Sequence, residues 1–195
     1  MADRELRRIT DIDTLKAFGH PLRMRLYRAL FVARTATASQ LADQVDEAVS
    51  LVSYHLRKLA DHGLIEETER QGGDGRERWW QVASEGLTTH DEDFRDDPAE
   101  AATHAAVSRL SFEQRSELYR GYLDARSAWD AAWRSASFSS EYLPRLTAGE
   151  LERLGTELHE LIKKYDAIGR AAEEAGDTAG RENVALHMYG FPFQP

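Results

Sequence analysis

The chain has 195 residues, of which 42% are hydrophobic and 30% charged, and its formal net charge is −9. This balance allows a packed core of one domain or two small ones and excludes a globally disordered chain. The sequence contains no cysteine, which excludes disulfide bonds, thiolate nucleophiles and cysteine metal ligands. No apolar run approaches the roughly 20 residues of a membrane span, and the N-terminus has no apolar signal region, so we expect a cytoplasmic protein.

Three short helices are predicted in the first part of the chain. Apolar residues at helical spacing predict the first helix over 11–18, and it ends before His20 because a residue that precedes proline avoids the helical region. Pro21 suits the first position of a second helix, where its missing N–H costs nothing. Thr37 and Gln40 have the spacing of a capping box, which predicts the start of a third helix. Only a tight connection then separates the third helix from the next one.

The segment 50–62 is the most informative part of the sequence. Val52, Leu56 and Leu59 fall on one stripe of a helix, which is therefore expected to face the core. The opposite face carries hydroxyls, a phenol and two cations, on Ser50, Ser53, Tyr54, Arg57 and Lys58. Such groups can contact base edges and phosphates in a DNA major groove. His55 lies on the flank of the buried stripe, where it either packs in the core or contacts a base.

A β-hairpin is predicted directly after this helix. Gly63 supplies a left-handed residue that ends the helix, and strands are expected over 64–70 and 77–83 on either side of a glycine-rich turn. A hairpin in this position is a wing, whose tip can touch the DNA backbone. Arg76 and Arg78 are the cations that we expect to make that contact. Several acidic residues lie nearby, so the wing is expected to be a weaker DNA anchor than the helix.

The negative charge of the chain is unevenly distributed. Residues 1–86 carry 13 cationic and 14 anionic side chains, whereas residues 87–195 carry 12 and 20. The excess acid therefore lies away from the predicted helix-turn-helix. Since the first part is only neutral, a basic surface must come from local clustering of cations. We expect modest non-specific DNA affinity with a steep dependence on salt.

The second part of the chain predicts two long helices. The first spans 98–135, and the second spans 148–175 and begins with a capping box formed by Thr147 and Glu150. The second helix carries an apolar heptad seam made of Leu151, Leu154, Leu158, Leu161, Tyr165, Ile168 and Ala172. A chain of this length cannot easily cover both apolar stripes, so we expect a constitutive homodimer built mainly by the 98–135 helix, with the 148–175 helix packed against it. Alternating residues over 184–188 predict a final strand.

Two motifs resemble a known family. The run 15–26 resembles the opening of ArsR-type winged helix-turn-helix regulators, and the run 52–56 with Leu59 and 63–65 resembles their recognition helix and its exit. Both occur in the family's order and spacing, and the resemblance covers about residues 11–84. It implies a dimeric, cytoplasmic transcriptional regulator, usually a repressor.

The chain departs from this family at two positions of the turn before the recognition helix. Asp46 stands where such sequences commonly have glycine, and Ala48 stands where they commonly have a serine cap. We expect these residues to reduce helix-cap stability by roughly 1 kcal/mol without abolishing the fold.

Metal sensing, which is common in this family, is not expected. The cysteines that many members use beside the recognition helix are absent. A second family site uses Asp and His on a C-terminal helix. Glu100 and His104 do have i,i+4 spacing, but no matching pair of ligands follows them, so solvated helix-face residues are the better interpretation. We therefore predict no metal site and no cofactor.

Aromatic residues of the second part offer a place for an effector. Tyr122, Trp129, Trp133 and Phe138 either line a pocket for a small organic molecule or pack as core or dimer interface. The acidic run 91–97 is a second candidate ligand site, for a divalent cation, although such runs are usually solvated linkers.

Together these patterns predict a mainly α fold with a small β-wing, of the α+β class. A winged helix-turn-helix DNA-binding domain is expected over 1–90, and a helical dimerisation and effector domain with a C-terminal strand over 91–195. The predicted function is sequence-specific transcriptional regulation by a homodimer, a repressor on a palindromic DNA operator. The alternative is a winged helix that binds only protein. An enzyme that uses the C-terminal domain is the third possibility, and the sequence has no phosphate loop, HExxH or serine-triad motif to support it.

Overall fold

A computed structural model describes residues 6–69 and 77–194. The chain forms two compact units, one that ends at Arg120 and one that begins at Gly121. In chain order the first unit contains β1 (Leu6–Arg8), α1 (Ile12–Phe18), α2 (Pro21–Ala33), β2 (Thr35–Thr37), α3 (Ala38–Val45), α4 (Val49–Asp61), β3 (Ile65–Thr68), β4 (Trp79–Val82), β5 (Gly86–Thr88) and most of α5 (Pro98–Ala125). The second unit contains the end of α5, α6 (Ala131–Ala136) and α7 (Ala148–Glu174). The mainly α class with a small β-wing is confirmed.

The predicted helix starts of the first unit are confirmed. The Asp11 carboxylate accepts the Thr14 N–H at 2.8 Å and caps α1, and Pro21 is the first residue of α2. Thr37 and Gln40 form the expected capping box of α3. These helices pack around one core whose fully buried side chains include Leu15, Leu26, Leu30, Leu41, Leu56 and Leu59.

The predicted hairpin is present as β3 and β4, which pair antiparallel with Ile65 opposite Val82. The glycine-rich turn that the sequence predicts, with Arg76, falls in residues 70–76, which lie outside the described residues. β2 adds a third strand on the other edge of β4, with Thr35 opposite Gln81. The sequence did not reveal β2, because three residues between two helices carry no visible alternation.

The first unit also contains a second sheet, which is a parallel pair of strands. β1 pairs with β5, with Leu6 opposite Gly86. Arg8 of β1 forms ion pairs with Asp93 at 2.7 Å and with Glu92 at 2.5 Å, and the neighbouring Phe94 is only 1% exposed. The acidic run is therefore only partly the solvated linker that the sequence predicts: Asp91, Asp96 and Asp97 are exposed, whereas Asp93 and Phe94 are held against the first unit.

The first unit extends beyond the predicted boundary at residue 90. Val107 and Gln114 of α5 are buried, and the Gln114 amide donates to the Pro21 carbonyl at 3.0 Å. Ser111 lies 3.9 Å from the Met24 sulfur. The first part of α5 therefore belongs to the same compact unit as α2, and the break between units falls after Arg120.

The single helix predicted over 98–135 is wrong, because α5 ends at Ala125. A short 3₁₀ turn follows, and Trp129 is extended with ψ 147°. Asp130 then caps a new helix by accepting the Trp133 N–H at 2.8 Å. The apolar spacing continued across this break, but a capping aspartate restarts the helix.

The helix predicted over 148–175 is confirmed as α7, with the Thr147 and Glu150 capping box. The final strand predicted over 184–188 is wrong, since these residues form no regular element. A strand needs a neighbour with which to pair, and this segment leads instead to Gly190, whose Cβ position would lie 3.0 Å from Leu151 Cδ1 of α7. None of the described helices combines the length and apolar character needed to span a membrane.

Candidate nucleic-acid interface

The α4 helix presents one buried and one exposed face. Val52, Leu56 and Leu59 are 0% exposed and anchor the helix in the core. The predicted contact residues lie on the other side, where Ser50, Tyr54, Arg57 and Lys58 are exposed and Ser53 is half-buried. The buried stripe therefore fixes the orientation in which α4 offers its polar face.

The turn before α4 contains Asp46 and Ala48, the two positions at which the sequence departs from the pattern of the family that it resembles. Asp46 has φ 54°, in the left-handed region that favours glycine. Ala48 is the N-cap of α4 and makes no side-chain capping hydrogen bond. Arg25 supports this turn, because its guanidinium donates to the Val45 carbonyl and lies 3.8 Å from the Glu47 carboxylate. Arg25 of α2 thus stabilises the turn between α3 and α4, where Ala48 provides no side-chain cap.

The end of α4 is tied to the N-terminal strand. Gly63 has φ 63°, and its N–H and that of Leu64 bond back to the carbonyls of Ala60 and Leu59. Arg7 of β1 donates to the Gly63 carbonyl and, at 3.0 Å, to the His62 carbonyl. The end of α4 at Gly63 is therefore also held by Arg7, a residue that the sequence analysis did not identify.

An open groove of about 400 Å³ joins the helix to the hairpin. The groove is lined by the end of β2, by α3 and α4, by the two residues before β4 and by β4 itself. Its lining residues include Thr37, Ser39, Ser53, Arg57, Glu77, Arg78 and Trp80. The Arg57 Nε donates to the Ser53 carbonyl at 3.1 Å, which positions the guanidinium along the helix. Arg78 lies 2.9 Å from the Glu67 carboxylate on the neighbouring strand, so its charge is partly balanced. The structure thus brings predicted residues of helix and wing into one surface.

Lys58 lines a different groove, near the C-terminal end of α4. This groove has a volume of about 390 Å³ and also includes Asp13, Lys16, Ala17, Arg23 and His62. Lys58 lies 3.6 Å from the Asp61 carboxylate. Lys16 of α1 is exposed here and was not selected from the sequence, because it is remote from the recognition motif in the chain. Ser53 and Arg57 therefore line one groove and Lys58 the other, whereas Ser50 and Tyr54 line neither.

His55 packs in the core, where it is only 5% exposed. Its ring centroid lies 4.6 Å from that of His20, and its Nδ1 lies 3.5 Å from Arg23 Nη1. Burial, with the nearby His20 and Arg23, lowers the pKa of His55, although the Glu47 carboxylate acts in the opposite direction. Burial and Arg23 likewise lower the pKa of His20. Of the two interpretations that the sequence left open for His55, the structure supports packing.

The structure also describes the candidate ligand sites of the rest of the chain. Over residues 6–69 and 77–194, no group of three or more His, Asp or Glu side chains is arranged to hold a metal ion. His104 is not a solvated helix-face residue: its ring stacks on Phe94 at 5.0 Å, and its Nε2 lies 3.1 Å from the Thr89 hydroxyl. The interpretation of His104 as solvated is therefore wrong.

The predicted aromatic pocket is only partly assembled in the single chain. The Trp129 and Trp133 rings lie 6.4 Å apart. Phe138 is 76% exposed, so its ring does not line an enclosed cavity there. The assignment of this group to an effector stays a prediction.

Residues 18–68 match a protein family described as "Helix-turn-helix domain". No curated protein shows significant similarity to the chain. Among solved structures, a possible transcriptional regulator for arsenical resistance is 28% identical, with 58% of this chain and 96% of that chain covered at a TM-score of 0.32. A transcriptional regulator homologue from Pyrococcus horikoshii OT3 is 20% identical, with 48% and 86% covered at 0.31. Lactococcus lactis ZitR in complex with DNA is 16% identical, with 72% and 73% covered at 0.25.

The domain assignment follows from the matched segment and from the fold around it. The match begins at Phe18 and ends at Thr68, so it contains α2, α3, α4 and the first strand of the hairpin. β4 then completes the wing by pairing with β3. Residues 18–68 therefore match a helix-turn-helix domain, and together with the hairpin they have the element order of a winged helix-turn-helix.

Proposed function

We propose that the chain is a homodimeric transcriptional repressor of the ArsR type that binds a palindromic site in double-stranded DNA in the cytoplasm. The observation that carries the proposal is the exposed polar face of α4, held on a helix whose other face is completely buried. A short helix with this division is suited to enter the major groove of DNA, which is wide enough to admit it.

The two grooves support different roles for the exposed side chains. Ser53 and Arg57 lie near the middle of α4 and share a groove with Arg78 of the wing. We assign base contacts to Ser53 and Arg57, because an arginine can bond a guanine edge in a bidentate manner. Lys58 lies nearer the helix end, so we assign it to a phosphate, where a point charge suffices.

The remaining polar residues of α4 complete the proposed interface. Ser50 is at the N-terminal end of the helix, and Tyr54 is 49% exposed. We assign both to contacts at the edge of the bound site, Ser50 through its hydroxyl and Tyr54 through its phenol. His55 is excluded from this set because it is buried.

A homodimer would place two recognition helices about one turn of DNA, roughly 34 Å, apart. This spacing demands a site with dyad symmetry, since the two copies present the same residues in opposite directions. Apolar residues of the second unit, among them Leu161 and Ile168 at 52% and 48% exposure, support association of copies through that unit. The aromatic group that includes Trp129 and Trp133 is our proposed location for a small organic effector.

Selection of bound fragments from random DNA tests the proposal. We expect the full chain to enrich a sequence with dyad symmetry. A variant with both Ser53→Ala and Arg57→Ala should fail to enrich it, while keeping the helical circular dichroism of the original chain. If neither protein enriches any sequence but the chain captures a protein partner through α4, the protein-binding alternative replaces this proposal.

A further inference from the structure

The apolar seam of α7 is open in the single chain. No described residue from Gly121 onward is buried. Five seam residues remain substantially exposed, namely Leu154 at 40%, Leu158 at 37%, Leu161 at 52%, Tyr165 at 65% and Ile168 at 48%. A helix of 27 residues with such a seam gains most of its stability from packing against another element. We therefore expect another helix to pack against this seam.

The spacing of the seam identifies the kind of partner. Its residues alternate at steps of three and four from Leu151 to Ala172, which is the 3.5-residue period of a coiled coil. A seam with this period matches another helix of the same period along its whole length. A second copy of α7 is the helix that necessarily has it.

The charges beside the seam distinguish between the two possible directions of pairing. One flank of the seam carries Glu150, Glu157 and Lys164, and both Glu157 and Lys164 are exposed. In an antiparallel pair this flank meets the same flank of the other helix, which sets Glu157 opposite Lys164 of the second copy, twice over. In a parallel pair Glu157 would instead meet the other flank, near Ile162, where it finds no cation. Charge complementarity therefore favours antiparallel pairing.

The opposite flank of the seam has open space beside its two glycines. It carries Gly155, Ile162 and Gly169, and a Cβ added at Gly155 or Gly169 would meet nothing within 4 Å. Glycine inside a helix is unfavourable unless something uses the room that it leaves. In the antiparallel arrangement Gly155 lies opposite Ile162 of the second copy, whose side chain can fill that space.

We propose that two copies of the chain associate through an antiparallel pair of α7 helices. The arrangement sets Leu158 opposite Leu161 and Leu154 opposite Tyr165, and it forms two ion pairs between Glu157 and Lys164. This proposal specifies the interface of the proposed homodimer. It is measured without DNA, so its failure is distinguishable from failure of the DNA-binding proposal.

Charge exchange tests the contact directly by sedimentation equilibrium of the full chain. Glu157→Lys should weaken dimerisation roughly tenfold, because both ion pairs become repulsive, and Lys164→Glu should do the same. The double variant should restore the dimer to within about threefold of the original, since the pairs re-form with exchanged ends. Glu152→Lys, an equal charge change on the outer side of α7, is the control and should have little effect. Additive weakening in the double variant, or a chain that stays monomeric at micromolar concentration, would overturn the proposal.

Pulsed electron paramagnetic resonance tests the direction of the pair. Since the chain has no cysteine, a spin label can be attached at a single introduced one. A label at Glu174→Cys should report a distance between copies of about 45 Å, because antiparallel helices place their ends far apart. A label at Glu160→Cys, near the centre, should report about 20 Å. A short distance at both positions would indicate a parallel pair and refute the arrangement.

Discussion

The ring of His20 lies 4.6 Å from the ring of His55, and this contact joins the start of α2 to the buried side of α4. His20 is also the N-cap of α2, where its Nδ1 accepts the Leu22 N–H at 3.2 Å. Only an unprotonated Nδ1 can accept that bond. Arg23, beside both rings, donates to the Lys16 and Ala17 carbonyls at the end of α1. The packing of α4 therefore places two imidazoles, one of them a hydrogen-bond acceptor at Nδ1, next to a cation.

This contact predicts that the domain loses stability in mild acid. Both histidines have lowered pKa values in the folded chain, so the unfolded chain binds more protons as the pH falls. Their contribution is fully present above the ordinary histidine pKa of about 6.5 and is lost as the pH falls through the lowered values. Urea unfolding between pH 7.5 and pH 5 should show a falling midpoint, in a range where carboxylates stay ionised.

His55→Gln is the variant that isolates this effect. It should unfold more easily than the original chain at pH 7.5, yet its midpoint should fall less towards pH 5. His159→Gln, which changes an exposed histidine of the second unit, should leave the pH dependence unchanged. An identical slope for His55→Gln and the original chain would contradict the role of the buried pair.

Arg57→Ala is predicted to weaken binding to the selected DNA by roughly 1–3 kcal/mol and to relax specificity at one base position, because it removes a bidentate contact. Lys58→Ala should weaken binding to all sequences about equally. Fluorescence anisotropy with the selected site and single-base variants measures both effects. Unchanged affinity in the Ser53/Arg57 double alanine variant would show that this face of α4 does not read DNA.

The wing is predicted to contact phosphates through Arg76 and Arg78. Removal of both should make the slope of log affinity against log salt concentration shallower, by about 0.9 for each phosphate that the wing no longer neutralises. Glu67→Gln provides the control for Arg78, because it breaks the ion pair at 2.9 Å while keeping the arginine. A slope that does not change would leave the hairpin with a structural role only.

Ala48→Ser is predicted to stabilise the domain. Ala48 already has the extended backbone of an N-cap, with φ −65° and ψ 136°, but offers no side-chain acceptor to α4. A serine hydroxyl there can accept an N–H of the first turn, which is worth about 1 kcal/mol. The midpoint of urea unfolding should rise accordingly. No rise would mean that water or the neighbouring turn already satisfies those N–H groups.

Much of the candidate site could be predicted because it depends on neighbours three or four residues apart. The buried stripe of Val52, Leu56 and Leu59 and the polar face opposite it follow from helical period alone. That Ser53 and Arg57 of this polar face share a groove with Arg78 is decided by tertiary structure, because the hairpin must fold back beside α4. Arg7 and Lys16 were missed for the same reason: each reaches α4 from an element that is distant in the chain.

The sequence by itself determined the helix starts of the fold, at Pro21, at Thr37 and at Thr147, since caps act within a single turn. Only the tertiary structure decided which segments become strands. Leu6 pairs with Gly86 across the length of the domain, whereas the alternating residues at 184–188 form no strand. A strand is completed by hydrogen bonds to another segment, and alternation along one segment does not reveal whether that neighbour exists.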